Sequence, residues 1–123
     1  MAFEHSLGVR VRRKHKDGVS IVCDLHDDLM NSQGVLHGGI IASIADEAAW
    51  FAIEPQLTGG RSATTTELKV NYLLPIAGDK VLGRAYLLRA GKTLCVSRVD
   101  LQDQKKRLAA VAIVTYMLLP KAL

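Results

Sequence analysis

Residues 39–53 read GIIASIADEAAWFAI, and this stretch decides the fold class of the 123-residue chain. The run is too long for a typical strand, is rich in alanine and ends before Pro55, so it predicts a helix. Only Ser43, Asp46 and Glu47 interrupt its apolar circumference, and a helix that is apolar nearly all round is normally buried all round. The two carboxylates in such a helix therefore need a structural or chemical reason.

Alternating or β-branched runs lie on both sides of this helix and predict strands. Turn signals rich in glycine, proline and aspartate separate them. The predicted strands cover residues 8–16, 19–25, 63–72, 80–89, 93–101 and 108–119. Short turns between consecutive strands imply a largely antiparallel meander, so we expect an α+β fold in which the sheet wraps around one long helix. Residues 1–123 are expected to form a single domain, since this length is common for one.

The composition is that of a folded protein, with 49% hydrophobic and 23% charged residues. The net charge of +4 suits an anionic small ligand as well as it suits nucleic acid, so charge alone does not choose between them. The basic run RVRRKHK at residues 10–16 alternates and has no interleaved aromatic residues. We therefore expect a solvated edge strand there and no nucleic-acid partner.

Neither a metal site nor an export signal is expected. Cys23 and Cys95 lie in strand patterns without the spacing of metal ligands, and we expect both to be buried thiols. The N-terminus lacks the apolar core of a signal peptide. The apolar region 35–53 is broken by His37 and by the two carboxylates, which argues against a membrane span. We therefore expect a cytoplasmic protein without membrane contact.

The sequence His37-Gly38-Gly39 at the start of the helix is suited to binding a negative oxygen. Glycines let the backbone approach a ligand closely and adopt conformations that other residues avoid. The first N–H groups of a helix have no intrahelical partner and lie at the positive end of its dipole, so they can form an oxyanion hole for an acyl carbonyl. His37 could orient the carbonyl or a water, or it could simply cap the helix. Asp46 lies at most about two and a half turns away, so a ligand lying along the helix could meet both ends.

These residues resemble the signature of the hotdog-fold acyl-CoA thioesterases, specifically the phenylacetic-acid-pathway (PaaI-like) type. The resemblance covers most of the chain. It comprises Asn31-x-x-Gly34-x-x-His37-Gly38-Gly39 followed after six residues by Asp46, the stretch TTTELKVNYLLP at 64–75, and the stretch RAGKTL at 89–94.

The resemblance implies a role for each residue of the site. Asp46 would attack the thioester carbonyl or activate a water to do so, and which of the two applies stays open. The Gly38 N–H would be the oxyanion donor, while Asn31 and His37 would orient the water and the thioester. Thr65 would supply a hydroxyl from the neighbouring subunit, because in this family the site forms across a dimer. Such dimers usually pair again, so a homo-oligomer that is a dimer of dimers is expected.

Coenzyme A is expected as part of the substrate, and no separate cofactor or metal is expected. A basic turn with a flexible backbone at Arg89, Gly91 and Lys92 could contact the phosphates of coenzyme A. Arg61 and Arg84 are further candidates for the same contact.

The resemblance thus predicts an acyl-CoA thioesterase that hydrolyses an aryl- or medium-chain acyl-CoA to the free acid and coenzyme A. Two alternatives are a non-catalytic hotdog module that binds or senses acyl-CoA, and a hotdog hydratase or dehydratase. The preferred acyl group is left open. We expect Glu47 to have a structural or interface role, and Trp50 to belong to the core, to an interface or to a pocket wall.

Overall fold

Six strands and one long helix make up most of residues 7–120, which is the part of the chain that the computed structural model describes. Each element lies within a residue of its predicted bounds. The strands are β1 (Val9–His15), β2 (Gly18–Asp24), β3 (Ser62–Tyr72), β4 (Lys80–Ala90), β5 (Leu94–Gln102) and β6 (Leu108–Leu119), and the helix is α1 (Gly38–Ile53). Residues 1–6, which are part of the N-terminal stretch on which the export prediction depends, lie outside the described range.

The strands form one antiparallel sheet in the order β1-β2-β4-β5-β6-β3. Strands β4, β5 and β6 form the predicted meander, whereas β3 lies beyond β6 although it precedes β4 in the chain. The reason is that α1 crosses the sheet and carries the chain from β2 to the opposite side. Strands β1 and β3 are therefore the two edges of this sheet.

The helix packs against the sheet through one face and leaves another face open. Its buried residues are isoleucines and alanines, and the small alanines let the sheet approach the helix closely: Ile41, Ile44, Ala45, Ala48, Ala49, Ala52 and Ile53. Ser43, Asp46, Glu47 and Trp50 are only partly buried. The prediction that the helix is buried all round is therefore wrong for the row that carries the carboxylates, because the sheet curls around one side of the helix only.

Two lesser predictions are confirmed by this architecture. Cys23 and Cys95 are free and fully buried, and burial raises the pKa of both thiols. Strand β1 pairs with β2 at the sheet edge, and most of its basic side chains are exposed. Arg10 forms a 2.9 Å ion pair with Asp24 across this edge. Within residues 7–120, no helix has the length and apolar character needed to cross a membrane.

Candidate active site

His37 caps the helix, as one of its two interpretations predicted. Its backbone is extended, and its Nδ1 accepts a 3.0 Å hydrogen bond from the Gly39 N–H. An Nδ1 that accepts a hydrogen bond carries no proton, so in the neutral ring the proton is on Nε2. His37 therefore offers a ligand a donor at Nε2, and its Nδ1 is already engaged.

The peptide group between Gly38 and Gly39 is held at both ends. The Tyr72 hydroxyl donates a 2.8 Å hydrogen bond to the Gly38 carbonyl, while the Gly39 N–H donates to His37. The Gly38 N–H has no hydrogen-bond partner among residues 7–120, which suits a donor kept for a ligand. Neither glycine has a positive φ, so the expectation of a backbone conformation that other residues avoid is wrong. A Cβ at Gly38 would make only ordinary contact with the Tyr72 ring, at 3.6–3.7 Å.

Asn31 organises the loop that leads to the helix. Its Oδ1 accepts hydrogen bonds from the Gln33 N–H at 2.9 Å and from the Val35 N–H at 3.3 Å. This is an Asx-type turn, in which a short polar side chain takes the place of a backbone acceptor. The amide nitrogen of Asn31 is then the group that this side chain can offer to a ligand.

Asp46 is held by two hydroxyl groups on the same carboxylate oxygen. Thr65 donates to Oδ1 at 2.8 Å, and Tyr116 donates to Oδ1 at 2.9 Å. The Tyr116 hydroxyl also lies 3.0 Å from the backbone oxygen of Asp46. Among the described residues no hydrogen bond reaches Oδ2, so this oxygen is the one left to act on a substrate or water.

Thr65 reaches Asp46 of its own chain, which corrects the prediction that its hydroxyl comes from the neighbouring subunit. Thr65 is paired with Tyr116 across β3 and β6, so both side chains point to the same face of the sheet, toward the helix. A bulge follows immediately between Thr65 and Glu67, and the Thr66 hydroxyl bonds to the carbonyl of Thr115 instead. The bulge sets which of the three consecutive threonines meets the carboxylate.

Tyr116 was missed by sequence reasoning, because it lies in an apolar strand and looks like a core residue. It is only 5% exposed. Burial raises the pKa of Tyr116 well above its ordinary value and the charge of Asp46 raises it further, against the opposing effect of Thr65. The hydroxyl thus stays protonated and remains a donor. The sequence did contain a signal for Tyr116. In an alternating strand it points to the same side as Ala112 and Val114, which predicts that it is buried, and a buried tyrosine hydroxyl usually has a hydrogen-bond partner.

A cleft of about 610 Å³ opens beside Asp46. Thr65, Tyr116 and Glu47 lie on its polar side. Its apolar wall is formed by Leu7, Val9, Trp50, Phe51 and Ala63. Of the roles considered for Trp50, the wall of the cleft is the one seen in this chain. Its ring centroid lies 6.0 Å from that of Tyr116. The cleft can hold an apolar group with its polar end at the carboxylate.

Gly38 does not line this cleft. It borders a separate groove with Leu36, Ile41, Tyr72 and neighbouring residues. Asp46 lies eight positions after Gly38 in the helix, which corresponds to a rise of about 12 Å along the axis. A carbonyl oxygen must lie about 3 Å from its donor, with the attacking group a similar distance from the carbon. A carbonyl placed at Asp46 is therefore too far from the Gly38 N–H of the same chain to receive its hydrogen bond.

The turn between β4 and β5 contains the residues that were predicted to contact the phosphates of coenzyme A. Arg89, Gly91 and Lys92 line a shallow groove of about 520 Å³. Arg61 lies beside it but donates to the backbone carbonyls of Lys92, Leu118 and Leu119, so its guanidinium braces the turn.

Arg84 is held elsewhere. Its guanidinium stacks 4.1 Å from the Tyr86 ring centroid and pairs with Asp17.

Within residues 7–120, no cluster of three or more His, Cys, Asp or Glu side chains could hold a metal ion.

Known proteins share both the sequence pattern and the fold. The pattern of the Thioesterase superfamily matches residues 33–110. The medium/long-chain acyl-CoA thioesterase YigI of Escherichia coli (strain K12) is 30% identical over 132 aligned positions, which cover 95% of this chain and 85% of YigI. The chain therefore belongs to the Thioesterase superfamily, and it is a thioester hydrolase.

Solved structures agree with this assignment. A thioesterase family protein from Silicibacter pomeroyi superposes with a TM-score of 0.88 at 26% identity, covering 97% of this chain and 90% of the other. A phenylacetic acid degradation-related protein from Ralstonia eutropha JMP134 gives a TM-score of 0.86 at 26% identity, covering 92% and 86%. The predicted hotdog fold, family and enzyme class are confirmed.

Proposed function

We propose that this chain hydrolyses aryl- or medium-chain acyl-CoA thioesters to the free acid and coenzyme A. The observation that carries the proposal is the Asp46 carboxylate, fixed through Oδ1 at the polar side of an apolar cleft. The acyl group would occupy the cleft with its carbonyl carbon at Asp46. The relative named as a medium/long-chain acyl-CoA thioesterase supports an aliphatic chain of this kind.

Asp46 has two chemically balanced routes to the products. As a nucleophile, it would attack the thioester carbonyl and expel coenzyme A as the thiolate, leaving an anhydride that water opens. As a general base, it would take a proton from a water that attacks the same carbon. In both routes the carbonyl oxygen becomes negative and needs a donor.

The oxyanion donor would be the Gly38 N–H of a second copy of the chain. Strand β3 pairs with β6 alone among the described strands, so its other edge is open. Thr65 near one end of β3 contacts Asp46, and Tyr72 at the other end contacts Gly38. Antiparallel pairing of two β3 edges about the midpoint between Thr65 and Tyr72 would bring the carboxylate of one chain to the donor of the other. The Asn31 amide and the His37 Nε2–H would enter the site from that second chain.

Arg89, Gly91 and Lys92 would contact the phosphates of coenzyme A. Support comes from Arg61, which joins this turn to the beginning of β3, four residues before Thr65. The distance along the strand is about 13 Å, which an extended pantetheine arm can cover. We expect the protein to form a homodimer that pairs into a tetramer, and a cytoplasmic location and the absence of a separate cofactor stay predictions.

Release of free thiol from a panel of aryl- and aliphatic acyl-CoAs tests the proposal, with the wild type and Asp46→Asn measured side by side. The amide oxygen of asparagine can still accept from Thr65 and Tyr116, so the fold should survive. We expect a loss of about 10²–10⁴-fold in kcat, the range for removing a general base. Asp79→Asn is the matched control, because that exposed carboxylate lies in the loop before β4.

Each of the alternatives has its own outcome in this assay. A binding module would be stabilised by acyl-CoA while leaving the thioester intact. A hydratase or dehydratase would interconvert enoyl and hydroxyacyl thioesters without releasing thiol. Full activity in Asp46→Asn would remove Asp46 from the chemistry.

A further inference from the structure

We infer that Tyr116 is a positioning residue for the Asp46 carboxylate. Together with Thr65, its hydroxyl fixes Oδ1, so that Oδ2 is the oxygen presented to the substrate or water. The inference rests on the proposed function and adds to it a residue outside the motif that defines the family resemblance.

The first argument is the geometry of the Tyr116 hydroxyl. It lies 2.9 Å from Oδ1 and 3.0 Å from the backbone oxygen of the same aspartate. A group that contacts both the backbone and the side chain of one residue restricts rotation about the bonds between them. Thr65 reaches the same Oδ1 from the neighbouring strand at 2.8 Å. Two donors from β3 and β6 thereby hold a carboxylate that belongs to α1.

The second argument is burial. Tyr116 is 5% exposed, and the Trp50 ring packs beside it at 6.0 Å. Little water reaches the Tyr116 side chain, so loss of its hydroxyl removes one of the two donors to Oδ1 and leaves Thr65 as the other. Since burial raises the pKa of Tyr116, the phenol stays neutral and able to donate across the working pH range.

The two contacts assign Tyr116 a role through Asp46. Its hydroxyl proton is directed at the aspartate, so the tyrosine neither transfers a proton to the substrate nor stabilises the oxyanion. Correct orientation of a reacting group affects the chemical step more than substrate binding. The inference therefore predicts an effect on kcat with little effect on KM.

The experiment compares Tyr116→Phe with Tyr86→Phe on one acyl-CoA that the wild type hydrolyses. Tyr86 is the matched control, because its ring packs against Arg84 and its hydroxyl has no hydrogen-bond partner among the described residues. We expect Tyr116→Phe to lose about tenfold in kcat, with KM within about twofold of the wild type. Tyr86→Phe should match the wild type in both.

A double variant separates positioning from general damage. If Tyr116 acts through the carboxylate, adding Tyr116→Phe to Asp46→Asn should not lower the residual rate further. A further tenfold loss in that background would overturn the inference, as would an unchanged kcat in the single variant. If Tyr116→Phe does not fold by circular dichroism, Tyr116→Met fills the same space without a donor and carries the same expectations.

The proposed function and this inference fail in different ways. A wild type that releases no thiol from any acyl-CoA contradicts the proposed function. A wild type that releases thiol, beside a Tyr116→Phe variant with the same kcat, contradicts the inference alone.

Discussion

The Thr65 hydroxyl donates a 2.8 Å hydrogen bond to Oδ1 of Asp46 in the same chain. This contact joins the edge strand β3 to the open face of α1. In the function proposed above, the carboxylate and its hydroxyl donor would form one half of a site, and the start of the helix, about 12 Å away, would form the other half. One chain carries both halves, but a single carbonyl cannot reach both of them.

Removing the Thr65 hydroxyl should reduce catalysis without unfolding the protein. Thr65→Val keeps the β-branched shape and removes one donor from Oδ1, so we expect kcat to fall about tenfold, equivalent to about 1.4 kcal/mol. Steady-state thiol release measures the effect. Thr66→Val is the matched control, because the Thr66 hydroxyl bonds to the Thr115 carbonyl and not to Asp46. Equal losses in the two variants would contradict a specific role for Thr65.

Replacing Gly38 with proline should remove the oxyanion donor and leave the helix intact. Gly38 is the first residue of α1, where proline is tolerated, and His37 before it already has the extended backbone that a following proline requires. We expect Gly38→Pro to lose about 10²–10³-fold in kcat, the range for one oxyanion donor. Gly38→Ala retains the N–H, and its Cβ would lie 3.6 Å from the Tyr72 hydroxyl, so it should retain most of the activity.

Mixing two inactive variants tests whether the halves come from different chains. In a heterodimer of Asp46→Asn with Gly38→Pro, one of the two sites combines the intact Asp46 of one chain with the intact Gly38 of the other. Coexpressed, differently tagged chains purified as heterodimers should regain up to about half of the wild-type activity. If both groups acted within one chain, every site would lack one of them and the activity would not return.

The bounds of the strands and helix could be predicted from the sequence because alternation, turn residues and Pro55 are local signals. The position of β3 in the sheet could not be predicted from the sequence. The sequence of residues 62–72 does not indicate which strand they pair with, and their pairing with β6 follows from the path of α1 across the sheet. Because the position of β3 was not predictable, the sequence could not show that Thr65 contacts Asp46 of its own chain.

The candidate site was predictable where its residues follow one another closely in the chain, as in the stretch from Asn31 to Asp46. Tyr116 is 70 residues from Asp46 in sequence, and the contact between them exists only after β3, β6 and α1 have packed. His37 shows the opposite case. A cap is a local interaction, so sequence reasoning could propose it, but only the hydrogen bond from Gly39 fixed which nitrogen is engaged.

Two substitutions at His37 should separate capping from chemistry. His37→Ala removes the acceptor of the Gly39 N–H and should lower the free energy of unfolding by about 1 kcal/mol, whereas His37→Asn places a favoured capping residue there and should restore it. Thermal and urea unfolding measure this difference. If the Nε2–H orients the substrate or water, both variants should lose activity. Full activity in His37→Asn would limit the role of His37 to the cap.

Trp50 should influence which acyl chains are hydrolysed, because its ring forms part of the cleft wall next to Tyr116. Trp50→Leu enlarges the cleft while keeping the wall apolar, so longer or bulkier acyl groups should gain relative to short ones. A pocket distinguishes one or two methylenes by about 1–3 kcal/mol, so we expect the ratio of kcat/KM for long over short chains to rise about tenfold. The ratio is the proper readout, since a general loss of stability lowers both rates and cancels. An unchanged ratio with uniformly lower rates would instead place Trp50 in the core or at an interface, where its size supports packing and does not select the substrate.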